Sequence, residues 1–124
     1  MNGFDAVLKT VSDRMTELGL TYAYDGYDGT PAYPYFVGSY AEQMRYISQG
    51  RTIGTFTVRG WGRDRAQLQM HLGQIREAFK NYAVTDDETC VVMDMGSLFG
   101  VRSEPGGLKT MEAQIHVRTF EGGK

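Results

Sequence analysis

Two histidines, one cysteine and fifteen carboxylates are the groups in this 124-residue chain suited to metal ligation or proton transfer. Structural zinc sites draw on Cys and His at short spacings such as Cys-x-x-Cys or His-x-x-x-His. His71, Cys90 and His116 stand far apart and follow no such spacing, so no metal ligand is assigned. His71 lies three residues after Leu68 and four before Ile75, which places it beside an apolar helix face as a packed or interfacial residue. Cys90, His116 and Asp94 are the residue types of a nucleophilic triad. Cys90 nevertheless lacks the basic neighbour or helix N-terminus that lowers a thiol pKa, and it reads as a strand cysteine. Gly106-Gly107-Leu108-Lys109-Thr110 departs from the phosphate-loop spacing and precedes a strand instead of a helix. The sequence therefore points to no catalytic residues and no cofactor, and the chain reads as non-enzymatic. The segment Arg59-Gly60-Trp61-Gly62-Arg63-Asp64-Arg65 has the residue types that stack on and clamp single-stranded nucleic acid. It serves equally as a strand end, a glycine turn and a helix start.

Tyrosine is the unusual feature. Seven of the eight tyrosines fall between positions 22 and 46, in a stretch rich in Gly and Pro. Tyrosine provides large contact area at low entropic cost and is enriched at interfaces. Tyr27, Tyr33 and Tyr46, with Arg45 and Arg51, are the expected contacts to another subunit or partner. Charge is also uneven: residues 1–42 hold six acids against Lys9 and Arg14, while residues 43–80 hold seven bases against Asp64 and Glu77. Opposite surfaces of this kind suit head-to-tail docking of copies.

The elements that must position these groups follow from periodicity. Phe4, Val7, Leu8, Val11, Met15 and Leu18 define an amphipathic helix that Gly19 ends. Thr21–Tyr24 and Tyr35–Ala41 read as strands around an Asp-Gly and Pro punctuated loop at 25–34, and 42–50 as a connection. In Arg51–Trp61, Ile53, Thr55, Thr57 and Arg59 alternate against Phe56 and Val58; Gly54 and Gly60 weaken this strand or mark a bulge. A second helix is expected over Asp64–Tyr82, with Asp64 as N-cap and Leu68, Leu72, Ile75, Phe79 and Tyr82 on one face. Thr85–Glu88 is an acidic turn. Thr89–Met95 is a strand that Gly96 interrupts and Leu98–Arg102 continues. In Leu108–Phe120, Met111, Ala113, Ile115 and Val117 alternate with Glu112, Gln114, His116 and Arg118. The expected fold class is α+β: a single domain over residues 1–124, with one antiparallel or mixed β-sheet and two amphipathic helices packed on it.

Composition is that of an ordinary globular domain, at 41% hydrophobic and 23% charged residues. The net charge of −2 gives no general attraction to polyanions. A single cysteine excludes an internal disulfide framework. The sequence carries neither a signal-peptide pattern nor an apolar run approaching the roughly 18 residues of a membrane helix. The expectation is folding in a cytoplasm, with no membrane partner.

The order of these elements resembles that of the tail terminator (tail-completion) proteins of long-tailed bacteriophages and the allied head–tail joining proteins. The matching pattern is an opening amphipathic helix and a Pro-aromatic strand, Tyr33-Pro34-Tyr35-Phe36-Val37-Gly38. A polar strand follows from Gly50-Arg51-Thr52 to Phe56-Thr57-Val58-Arg59-Gly60-Trp61, then directly a helix. The closing strand is Gln114-Ile115-His116-Val117-Arg118. The loop at 25–34 has no counterpart in the pattern. The resemblance implies a homo-oligomeric ring, a hexamer, that ends growth of the tail tube and docks it to the head connector or neck proteins. It further implies a place in the virion tail or neck, assembly in the bacterial host cytoplasm, DNA only as transit cargo, and no catalytic residues. A neck or head-closure protein is the nearest alternative. A small nucleic-acid-binding module on Arg59–Arg65, or an enzyme centred on Cys90, belongs to other classes.

Overall fold

The computed structural model describes residues 2–48 and 51–121, with the side chains of 44–48 outside the described set. The elements are α1 (Gly3–Glu17), β1 (Tyr22–Tyr24), β2 (Tyr35–Ser48), β3 (Arg51–Gly62), α2 (Arg65–Phe79), β4 (Tyr82–Thr85), β5 (Thr89–Ser103), a 3-10 turn at Pro105–Gly107 and β6 (Lys109–Glu121). The six strands form one curled sheet in the order β1-β2-β3-β6-β5-β4. Every pairing is antiparallel except β1 with β2, so the sheet is mixed and the fold is α+β.

The helix boundaries have local causes. The Asn2 side chain accepts from the Asp5 amide and opens α1, and the Asp64 side chain accepts from the Gln67 amide at 3.2 Å and opens α2. Gly19 takes φ +74°; its amide bonds to Thr16 and that of Leu20 to Met15, a doubled C-terminal closure that frees the chain to turn into β1. The second helix stops at Phe79 and not at Tyr82. Asn81 has φ +50°, and Tyr82 begins the short edge strand β4, absent from the periodicity because four residues are too few to show a period. Strand β2 runs through 42–48, expected to be a connection, because Glu42 and Gln43 pair with Gly54 and Ile53 of β3. Pairing across the sheet overrides the weak strand preference of this polar stretch.

Both helices cover one sheet face. Val7, Val11 and Met15 of α1 and Leu68, Ile75 and Phe79 of α2 are fully buried against Phe36, Phe56, Val58, Val91, Met93, Ala113, Ile115 and Val117. Arg14 joins the helices to each other: its Nε donates to the Ala78 carbonyl at 3.1 Å and its guanidinium lies 4.2 Å from the centre of the Tyr82 ring. Gly54 and Gly60 make no bulge in β3. Gly54 and Gly60 face inward, and a Cβ at Gly60 would lie 2.6 Å from the Phe36 ring, one at Gly54 2.6 Å from the Tyr40 hydroxyl. Large rings of β2 lie flat over missing side chains of β3. Burial places the Tyr22 and Tyr40 phenols far above the usual range, and neither hydroxyl has a hydrogen-bond partner among the described residues.

Two predictions follow from this packing. Gly60→Ala forces the Phe36 ring or Met111 aside and should cost about 1–3 kcal/mol by chemical denaturation; Leu72→Ala, at a buried position, should cost about 2–5 kcal/mol. An unchanged denaturation midpoint in either variant would contradict the packing. Glu42 has its pKa raised, first by burial and then by Glu121. The folded state therefore holds a proton that the unfolded chain has released, and stability falls as pH rises above the ordinary carboxylate value. Glu42→Gln should be more stable than the parent at pH 7, by a margin that shrinks as pH drops toward 4. A margin independent of pH would remove Glu42 as the cause.

Candidate partner interface

The helices leave the second face of the sheet uncovered. Its residues are the other half of each alternation: Tyr35, Val37 and Ser39 on β2; Ile53, Thr55, Thr57, Arg59 and Trp61 on β3; Glu112, Gln114, His116 and Arg118 on β6. At one end of this face the aromatic residues form a continuous stack. Tyr35 stands directly across from Trp61 in the β2–β3 register, with ring centres 5.2 Å apart and planes at 17°. Tyr33 stacks on Tyr35 at 5.6 Å, and Tyr27 meets Tyr35 edge-on at 5.6 Å. The Tyr33–Pro34 peptide is cis.

The loop at 25–34 is what brings Tyr27 and Tyr33 onto this stack. It turns through Asp25, Gly26 and Gly29, all with positive φ, and the Tyr27 hydroxyl donates to the Phe36 carbonyl at 3.2 Å. Tyr27 is thus half-buried and pins the loop to β2, its phenol pKa raised by burial. Tyr33 is the outermost member, 41% exposed, with the Arg63 guanidinium 5.2 Å from its ring centre.

The arginines around the stack are held by their own chain. Arg59 Nε donates to Glu112 at 2.9 Å, and Arg63 Nη1 to the Gly106 carbonyl at 2.6 Å. Arg65 donates to the Val101 carbonyl at 2.9 Å and to Ser103 Oγ at 3.0 Å. These bonds fasten the start of α2 to the β5–β6 turn. A guanidinium with its donors so engaged has fewer left for a phosphate, which weakens the nucleic-acid reading of Arg59–Arg65.

The expected interface residues do not form one cluster. Tyr27 and Tyr33 meet at the Trp61 end of β3. Arg51 is exposed at the opposite end, across from Ser48 and Phe120, about 33 Å away along the strand. The side chains of Arg45 and Tyr46 lie outside the described residues. Sequence reading passed over Tyr35 as a contact residue and considered Trp61 only for stacking on nucleic acid, although their alternation with Phe36 and Gly60 marks both as outward-facing. It also passed over Leu98 and Phe99, which are exposed on β5.

The groups with chemical potential are dispersed. Asp94 and His116 are direct cross-strand partners, but Cys90 lies four residues along β5 from Asp94, about 13 Å, too far for a triad. The Cys90 thiol accepts from Thr85 Oγ1 at 3.4 Å. His71 packs edge-on against Phe36 at 5.8 Å and its Nδ1 lies 2.8 Å from Gln74 Oε1, as a packed histidine should. Among the described residues no group of three or more His, Cys, Asp and Glu is placed to hold a metal ion, and no helix is long and apolar enough to cross a membrane. A hollow of about 340 Å³ between α1 and β4 is flanked by Lys9, Asp13 and Tyr82, and Lys9 is paired with Asp13. No protein-family model matches the sequence, and no curated protein matches it.

Proposed function

We propose that this chain is a structural subunit that assembles into a ring, ending a bacteriophage tail tube and joining tail to head. The observation that carries the reading is the uncovered sheet face with its exposed aromatic end. A stack of Tyr33, Tyr35 and Trp61 is rigid, broad and apolar, with hydroxyl and guanidinium groups at its margin. That combination is what interface anchors require. The separation of Cys90 from the Asp94–His116 pair favours a binding role over covalent chemistry. The opening helix, the Pro-aromatic strand and the Trp-ended strand running into α2 supply the link to tail terminators.

A ring demands two different surfaces that meet head to tail. The separation of Tyr33 from Arg51 along the hairpin is compatible with that demand, because one end of a subunit can meet the other end of its neighbour. Of the acids of α1, Asp13 and Glu17 pair with Lys9 and Arg14, so Asp5 is the one offered as a counter-charge for Arg51. Such rim charges set encounter rate and register, while the tyrosines hold the contact.

Negative-stain microscopy of the purified protein, alone and mixed with tail tubes, tests the proposal directly. Rings of uniform diameter that cap tube ends are the expected result. Tyr33→Ala combined with Tyr46→Ala should yield folded protein that no longer forms rings. Rings as stable as the parent's in that double variant would show that the tyrosines are not the anchors, and a parent that never forms rings would overturn the function.

A further inference from the structure

The sheet has a border that its own edge strand does not cover. Strand β4 pairs only with Cys90–Met93 of β5, and the Asn81 amide closes the corner by donating to Asp94 at 3.2 Å. Beyond that point, on the side away from β6, no strand lies beside β5 among the described residues, although β5 continues to Ser103. The run Met95-Gly96-Ser97-Leu98-Phe99-Gly100-Val101 contains neither a charge nor a proline. Leu98 and Phe99 are 36% and 46% exposed. Natural edge strands are usually blunted by charge or proline, because unpaired amides and carbonyls recruit another strand. Here blunting is confined to the two ends: the Met95 amide donates to Asp94 Oδ1 at 2.9 Å, and Arg65 holds the Val101 carbonyl.

The run is also close to self-complementary. About Leu98, Gly96 mirrors Gly100 and Asp94 mirrors Arg102. Asp94 stands across from His116 and Arg102 across from Thr110, both in the outward set of β6, so the two charges share a face. Register shifts fall on each side of the Leu98-Phe99 pair, leaving that pair in register with Ala113 and Glu112. Neither Asp94 nor Arg102 takes part in an ion pair among the described residues. The free part of β2 is a poorer acceptor: the Tyr40 amide already donates to the Tyr24 hydroxyl at 3.2 Å, and Glu42 follows.

We propose that the Met95–Val101 border pairs antiparallel with the same border of a second copy, about a two-fold axis at Leu98, Asp94 of each copy meeting Arg102 of the other. An isologous contact needs this reciprocity, in which residue i meets j and j meets i. The contact differs from the head-to-tail contact of a ring and does not rest on it. It engages β5, whereas the Tyr33 stack lies on β2 and β3.

A cysteine on the axis gives the test. In a Cys90→Ser background, Leu98→Cys places two thiols across an antiparallel pair, with Cα atoms about 4.5–5.5 Å apart, within disulfide reach. Mild oxidation should convert this variant to a covalent dimer, while Thr57→Cys in the same background should stay uncrosslinked. By sedimentation equilibrium without oxidant, Arg102→Asp should weaken the dimer by at least about tenfold, and adding Asp94→Arg should restore it. Circular dichroism confirms that each variant is folded. A parent that is monomeric at every concentration reached overturns the inference, as does self-association without the Leu98→Cys cross-link. Rings without the cross-link would leave the tail-terminator reading standing and sink this one; cross-linked dimers that never form rings would do the reverse.

Discussion

The ladder between β3 and β6 is the constraint on which the rest of the structure depends. Twelve consecutive residues, Arg51 to Gly62, pair with Phe120 to Lys109 without a register shift, whereas β2 and β5 both carry irregularities. Side chains alternate along a strand, so this one register decides which half of each central strand faces the helices. It puts Phe56, Val58, Ala113, Ile115 and Val117 under α1 and α2. A slip of one residue would turn one of the two strands over, bringing there either Arg59 of β3 or Glu112, His116 and Arg118 of β6, and burying such polar and charged groups without partners would cost more than the fold's whole margin of stability. The register of β2 and β5 follows from their neighbours, and their bulges are tolerated because they lie outward of the seam.

Within that frame the aromatic residues do two jobs. Phe36, Phe56 and Tyr40 face inward and occupy the space that Gly38, Gly54 and Gly60 leave open. Tyr27, Tyr33, Tyr35 and Trp61 face outward and stack on one another. The tyrosine-rich stretch therefore divides: strand parity turns Tyr40 to the core and Tyr35 outward, and the loop adds Tyr27 and Tyr33 to the outer set. Arg63 and Arg65 then brace the same end against the β5–β6 turn, and Arg59 ties β3 to Glu112 of β6.

Much of this architecture was legible in the residues. Helical spacing identified both apolar stripes, and Gly19 and Asp64 ended and began helices as their chemistry dictates. The alternation in 51–61 and 108–120 separated the two faces of each strand as burial does. What escaped were features that depend on a partner strand. The extension of β2 through Gln43, the parallel pairing of β1 and the existence of β4 are set by neighbours and leave no period in so few residues. The glycines of β3 read as weak points because a sequence does not show which ring will lie over them. The aromatic stack was only half legible: tyrosine density located its region, but Trp61 joins it through a cross-strand register that no local pattern carries.

The unbroken seam also sets how the chain reaches this fold. β2 and β3, and β5 and β6, follow closely on one another in the chain and can pair as local hairpins. The seam between them is not local: Thr55 pairs with His116, half a chain length away, with α2, β4 and β5 in the intervening sequence. Closing so long a loop has an entropic cost that precedes any gain from the pairing, so docking of the two hairpins is the slow step. Substitutions along β3 and β6 then slow folding, whereas those in β1 or β4, which add only an outer rung, chiefly speed unfolding. Until docking is complete, the inward faces of both hairpins are exposed, and it is in that interval, not in the finished subunit, that the chain is most open to pairing with the wrong strand.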